Sequence, residues 1–390
     1  MKDSINMSDL LRSSIKEQPP PARPRPTPIN PISESIDGNP PSDSSSSSAD
    51  SAASVNTVRP SSREQSAPES HWTNYFAQEL FLEQETETQN GIYHVYITPP
   101  TDPQTGPLFI CHHGAGASGL SFAVFAQQIR HRLPTAGILS LEARAHGSVI
   151  TSKITNDPIP DFSIATLAHD AQTMITLTQT HFSWPTLPPT ILLGHSLGGA
   201  VITDLAASFA LGPALIGFCV LDVVEGSALE ALGHMKTYLA SRPGIFGSVD
   251  EAVTWHTRSR TIRNAESASV SVPSLLAQQP NGRYTWRTAL STTSAYWSDW
   301  FTGMSSKFLA GRGAKLLILA GTDRLDKELM IGQMQGKFQL VVVPEAGHFV
   351  QEDVPEKTAD LLVEFYRRND RSTLVLPPKV SELIAQGKKV

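Results

Sequence analysis

"TILLGHSLGGA", residues 190–200, runs from apolar residues into a serine flanked by Gly194 and Gly198, then into small residues of helical character. Its reading decides the fold. A nucleophile elbow needs its serine on a sharp strand-to-helix turn, and it needs small neighbours because the backbone is crowded there. A bare G-x-S-x-G spacing is weak, since an ordinary glycine-rich bend also produces it. Between a buried strand and a helix the same spacing becomes strong, so the surrounding pattern settles whether Ser196 is a nucleophile.

From Trp72 onward, short apolar runs alternate with longer segments of helical period, the mark of an α/β protein with a mainly parallel central sheet flanked by helices. "GIYHVYIT" (91–98) alternates like a half-exposed strand. "PLFICHHG" (107–114) and "AGILSLEARAHG" (136–147) read as buried strands entering loops. In residues 161–183, Ile164, Leu167, Ala168, Ala171, Met174 and Ile175 fall on one helical face. Beyond the elbow, "ALIGFCVLDVVEG" (214–226) is a strand ending in Asp222, "AKLLILAGTDRLD" (314–326) one ending in Asp323, and "FQLVVVPEAGH" (338–348) the last. "VPEKTADLLVEFYRR" (354–368) closes the fold as a helix with proline near its start.

The stretch between Val224 and Lys315 breaks this alternation. It holds "SVDEAVTWHTRSR", where Ser248 and Glu251 have capping-box spacing, and the aromatic "YWSDWFTGMSSKFL". An excursion after a strand end of an open α/β sheet sits above the carboxyl edge, where ligands bind, so residues 226–312 are expected to form a helical cap insertion. The expected organisation is a Pro/Ser-rich tail over 1–70, a catalytic domain over 71–370 and a C-terminal tail over 371–390. The head contains "NPPSDSSSSSADSAAS", which buries too little apolar surface to offset its ordering entropy and reads as disordered.

Composition narrows the function classes. The net charge of −6 and the lack of a Lys/Arg cluster argue against a nucleic-acid surface. No uninterrupted apolar run approaches the roughly 20 residues of a membrane helix, and the N-terminus lacks the apolar core of a secretory signal. The two cysteines, Cys111 and Cys219, lie inside strand-like runs and read as buried reduced thiols. A soluble protein of the cytoplasm or nucleus is expected. No His, Cys or carboxylate set has metal-ligand spacing, and no cofactor is implied.

Serine is a poor nucleophile at neutral pH, so it needs a base, and the base needs an orienting acid. In this architecture the order along the chain is serine, acid, histidine, which leaves His234, His256 and His348. His348 alone follows a strand and precedes the closing helix, and is the expected base; His195 is expected to pack within the turn. Asp222 and Asp323 both end strands facing one edge, and spacing does not separate them; Asp326 reads equally as a helix cap or a salt-bridge partner. The oxyanion requires backbone donors: the amide of Leu197, after the serine, and that of Ala115, in the loop "HHGAGASG" (112–119). That loop lacks the lysine of a phosphate-binding loop.

Longer strings carry a family resemblance. "LLGHSLGGA", "LDVVEGSALEAL", "SRPGIF", "IRNAESA", "YWSDWFTGMSSKFL", "AGTDRLDKELMIGQMQGKFQL" and "AGHFVQED", spread over about 72–366, resemble the protein phosphatase methylesterases of the α/β-hydrolase fold. The resemblance implies removal of the methyl ester from the C-terminal leucine of the type 2A protein phosphatase catalytic subunit, with no cofactor required; the family also contacts the phosphatase's own metal-bearing active site, whose metals belong to that partner. It also implies that the acid is the aspartate of "DVVEG", Asp222. "HHGAGASG" departs from relatives, which have more glycines there. The rival readings are a general small-ester hydrolase of the same fold and a phosphatase-binding inhibitor in which ester cleavage is secondary.

Overall fold

The apolar runs assemble into one mixed sheet in the computed structural model, which describes residues 71–321 and 325–370. The head and the C-terminal tail, with Asp323, lie outside the described residues. The strands are β1 (Gln78–Glu85), β2 (Gln89–Thr98), β3 (Leu108–His112), β4 (Gly137–Leu141), β5 (Val149–Ser152), β6 (Thr190–His195), β7 (Leu215–Leu221), β8 (Leu276–Gln278), β9 (Tyr284–Trp286), β10 (Ala314–Leu319) and β11 (Gln339–Val342). Along the main sheet the order is β1-β2-β4-β3-β6-β7-β10-β11, with β5 paired to β2. Pairings from β4 across to β11 are parallel, while β1, β2 and β5 form an antiparallel margin.

Strands β3, β4 and β6 are buried throughout, which is why they read as continuous apolar runs rather than alternating ones. Their side chains supply two cores. Leu108, Ile110 and Leu192 face helices α2 (Ile164–His181) and α3 (Leu197–Ala207). Phe109, Cys111, Ile191 and Leu193 face α1 (Ala123–Arg132) and the final helix (Pro355–Asn369), whose Phe125, Ile129, Leu362 and Phe365 complete that layer. Each such buried side chain contributes roughly 1.5–3 kcal/mol against exposure. Both cysteines are free and buried here, and burial pushes each thiol upward in pKa. All six residues expected on the inner face of α2 are buried.

Strand β1 is absent from the sequence reading. Of "QELFLEQE" only Leu82 is buried, so it carries no apolar run; its charges suit an exposed edge.

Between β7 and β10 the chain forms α4 (Glu225–Ser241), α5 (Val249–Arg258), α6 (Ala265–Ser271), the β8–β9 hairpin, α7 (Trp297–Phe301) and α8 (Met304–Ala310). Its first half has a small core of its own, including Phe246, Ala252, Ile262 and Leu276. Its aromatic second half instead joins the core under α2 and α3 through Trp297, Trp300, Phe301 and Phe308. There Trp300 Nε1 donates to the Phe162 carbonyl at 2.7 Å, and Asp299 accepts the Ile164 amide at 3.0 Å, capping α2. Ser248 caps α5 by accepting the Glu251 amide at 3.1 Å. The reciprocal arm reaches one residue further back than a capping box, since Glu251 Oε2 accepts the Gly247 amide at 2.6 Å. Beyond β10 come α9 (Lys327–Met334), where Asp326 acts as a cap and accepts the Leu329 amide at 3.0 Å, α10 (Val350–Asp353) and α11 (Pro355–Asn369). Among the described residues no helix is long and apolar enough to cross a membrane.

Candidate active site

Ser196 joins β6 to α3 with φ 51° and ψ −122°, a conformation costing a non-glycine residue about 1–3 kcal/mol. Its surroundings hold it there. The Ser196 amide donates to the Leu221 carbonyl at 3.1 Å, tying the bend to the end of β7. A Cβ at Gly198 would lie 2.1 Å from the His112 carbonyl oxygen, and one at Gly194 would lie 2.2 Å from the Gly198 carbonyl oxygen. Only glycine allows strand, bend and neighbouring loop to approach this closely.

Asp222 follows β7 directly and also has a positive φ, 51°. Its amide donates to the Ile318 carbonyl at 2.8 Å, and its Oδ1 accepts the Ala320 amide at 2.7 Å. The other oxygen, Oδ2, lies 2.8 Å from His348 Nδ1. His348 sits in the loop after β11, 6 % exposed, and Asp222 is 7 % exposed. Asp222 is therefore the carboxylate set against His348. Ser196, Leu197, Ala115 and His348 line one pocket, with Asp222 behind the imidazole.

The other histidines take different places. His234 is exposed on α4. His256 is buried at the pocket wall, where Nδ1 lies 2.8 Å from the Ala252 carbonyl of its own helix; burial lowers its pKa to about 4. His195 packs between the bend and His348: its Nε2 donates to the His348 carbonyl at 2.8 Å, and its ring centre is 4.7 Å from that of His348. Burial foremost, with His348 nearby, drives His195 well below the ordinary range, so it is neutral.

In the sequence, His113 and Gly114 resemble the His-Gly opening of a hydrolase oxyanion loop, but the side chains of 142–146 that brace that loop are missed. His113 Nε2 accepts the Ala143 amide at 3.1 Å, so its proton is on Nδ1 and is donated to the Gly114 carbonyl at 2.8 Å. His146 Nε2 likewise accepts the Gly116 amide at 2.9 Å, and its Nδ1 donates to the Arg144 carbonyl at 3.0 Å. Burial keeps both neutral, His146 at about 4 and His113 well below 6.5. Glu142 Oε1 accepts the Gly119 amide at 2.8 Å. The 3.5 Å approach of Glu142 Oε2 to His113 is no ion pair, because the imidazole is neutral and burial raises the carboxyl's pKa. Arg144 is fastened to Asp170 through Nε at 2.6 Å and a second nitrogen at 2.9 Å. Ala115 and Leu197 lie at the pocket with amides that have no protein acceptor among the described residues. "EARAH" (142–146) thus braces the loop carrying Ala115; its one sequence signal is polar residues at a buried strand end.

The pocket encloses a cavity of about 70 Å³. It is a narrow slot. Sheet-side residues form its floor, and Leu232, Met235, Tyr238, Trp286 and Leu290 from the insertion form its opposite wall. Among the described residues no group of three or more His, Cys, Asp or Glu could hold a metal ion.

A model of the alpha/beta hydrolase family matches residues 109–361, and the chain belongs to that family. Among solved structures, E-2-(acetamidomethylene)succinate hydrolase shares the fold: TM-score 0.53 at 18% identity, over 74% of this chain and 99% of that one. Protein phosphatase methylesterase 1 of Neurospora crassa is 52% identical, the match covering 90% of this chain and 89% of that protein. Its namesake in Aspergillus fumigatus is 53% identical over 98% and 94%, and that in Schizosaccharomyces pombe 47% over 80% and 88%. Within the hydrolases, the chain belongs to the protein phosphatase methylesterases and is a carboxylic ester hydrolase.

Proposed function

We propose that the protein hydrolyses the methyl ester on the C-terminal leucine of the type 2A protein phosphatase catalytic subunit. Ser196 is the nucleophile, His348 the base and Asp222 the acid. The observation that carries this reading is the Asp222–His348 contact of 2.8 Å behind a pocket that Ser196 also lines. With Nδ1–H donated to Asp222, His348 presents Nε2 to the Ser196 hydroxyl. As Ser196 Oγ attacks the ester carbonyl, His348 takes its proton, and the amides of Leu197 and Ala115 hold the oxyanion. Collapse breaks the bond to the methoxy group, which leaves as methanol with the proton from His348. Water then attacks the acyl-enzyme by the same relay and frees the leucine carboxylate.

On this reading the hydrolase domain spans 71–370 with its insertion at 226–312, and the protein acts in cytoplasm or nucleus. Carboxymethylated phosphatase catalytic subunit incubated with the protein should release methanol. Turnover of small acyl esters with no methanol from the phosphatase would instead identify a general esterase. Phosphatase activity that tracks the abundance of a Ser196→Ala protein in cells would make binding the function.

A further inference from the structure

Half-buried Arg242 ends α4 with its guanidinium at the pocket, and it is unlike the buried Arg144 near the site. Arg144 has Asp170 on two of its nitrogens. Arg242 has no hydrogen bond or ion pair among the described residues, and its Nε is buried with no partner. It is held by rings instead: its Cζ lies 4.2 Å from the centre of Trp286 and 5.8 Å from that of Tyr238. Trp286 is itself fixed, its Nε1 donating to the Pro243 carbonyl at 2.7 Å. A guanidinium half out of water, with apolar neighbours, has lost hydration that nothing in the described chain replaces. Burial accordingly lowers its pKa. The one acidic side chain among the described lining residues does not compensate, because Glu352 Oε2 is bonded to Ser271 Oγ at 2.6 Å and burial holds that carboxyl well above its usual range.

We propose that Arg242 is a specificity-determining residue that receives a side-chain carboxylate carried by the polypeptide arm of the ester substrate. The planar fork suits two carboxylate oxygens, and a charged acceptor regains more in this setting than a neutral carbonyl does. Stacking on Trp286 pre-sets the plane of the fork, so little ordering remains to be done when the chain end enters. The ester at Ser196 is neutral, so selection between chain ends falls to groups further along the arm.

The inference rests on the proposed ester hydrolysis, and the test separates the two. Hexapeptides ending in leucine methyl ester would carry glutamate or glutamine at one upstream position at a time, with methanol release giving kcat/KM. The wild type should prefer glutamate at one position by about ten- to a hundredfold, mainly through KM. Arg242→Met should bring that ratio close to one, and Arg242→Lys should restore part of it by keeping the charge without the fork. Because the ratio is taken within one protein, loss of folded material cancels. A wild-type ratio near one at every position, or equal ratios in wild type and Arg242→Met, overturns the assignment of Arg242 while leaving ester hydrolysis standing. Absence of methanol from every peptide and from the methylated phosphatase overturns both.

Discussion

At the carboxyl edge of the sheet, Ser196 and Asp222 each hold a φ of 51°, and main-chain hydrogen bonds to neighbouring strands pin both. Across the slot, the insertion's wall is fixed by rings and indole nitrogens: Trp286 against Phe246 at 5.5 Å, Trp300 on the Phe162 carbonyl. The floor therefore tolerates little displacement, since moving it breaks ladder bonds and glycine contacts together. Outside the two indole N–H bonds, which anchor Trp286 and Trp300, the wall is held by ring and aliphatic packing, which is less directional than a strand ladder. On the proposed reading, chemistry falls on the ladder-pinned side and recognition on the ring-packed one, and each side should fail differently when altered.

The largest expected effect is at the floor. Ser196→Ala should lower methanol release up to about a millionfold, as removal of a triad serine does elsewhere; residual turnover of a few per cent would break the assignment. Asp222→Asn should cost about ten-thousandfold in kcat through loss of the correct imidazole tautomer, with the fold intact by circular dichroism. Gly198→Ala should destabilise by about 3 kcal/mol or more in denaturant titrations, because its new methyl meets backbone oxygens at 2.1 and 2.6 Å.

Acidification acts next, also through the floor and its surroundings. His112, His146 and His256 are held at about 4, and His113 and His195 well below 6.5, chiefly by burial. The unfolded chain accepts protons that these folded sites refuse, so their stabilising effect is whole above about pH 6.5 and is lost as pH falls toward 4. Each then removes about 1.4 kcal/mol per pH unit. Glu142 and Glu352, raised by burial, act with the opposite sign and offset part of this. The unfolding midpoint should be lower at pH 5 than at pH 7; a flat profile would mean that these imidazoles are not buried neutral. The smallest effect belongs to the wall. Leu290→Ala, trimming the side chain that lies over Gly116, should raise KM severalfold with little change in kcat, and a fall in kcat alone would erase the contrast between the two sides.

Much of this was legible in the sequence because the elbow is a local demand: a strained strand-to-helix turn requires glycines at fixed offsets, and 190–207 supplies them. Buried parallel strands likewise announce themselves as apolar runs, and the insertion as a break in their rhythm. Spacing did not separate the two strand-end aspartates, and only the family resemblance of "DVVEG" pointed to Asp222, because what marks it physically is a contact with a residue 126 positions away. Glu142 and His146 were missed for the same reason: a polar residue in a turn reads as solvated until the fold buries it. Arg242 carried no signal at all, because an unpaired cation is defined by what does not come near it.

His195 grips the backbone of His348 across 153 positions of chain, and it is also the residue next to Ser196. The bend and the distant loop thus form a single mechanical piece, with a hinge pin made of one neutral ring. The position of the His348 main chain is thereby coupled to that of the residue beside Ser196.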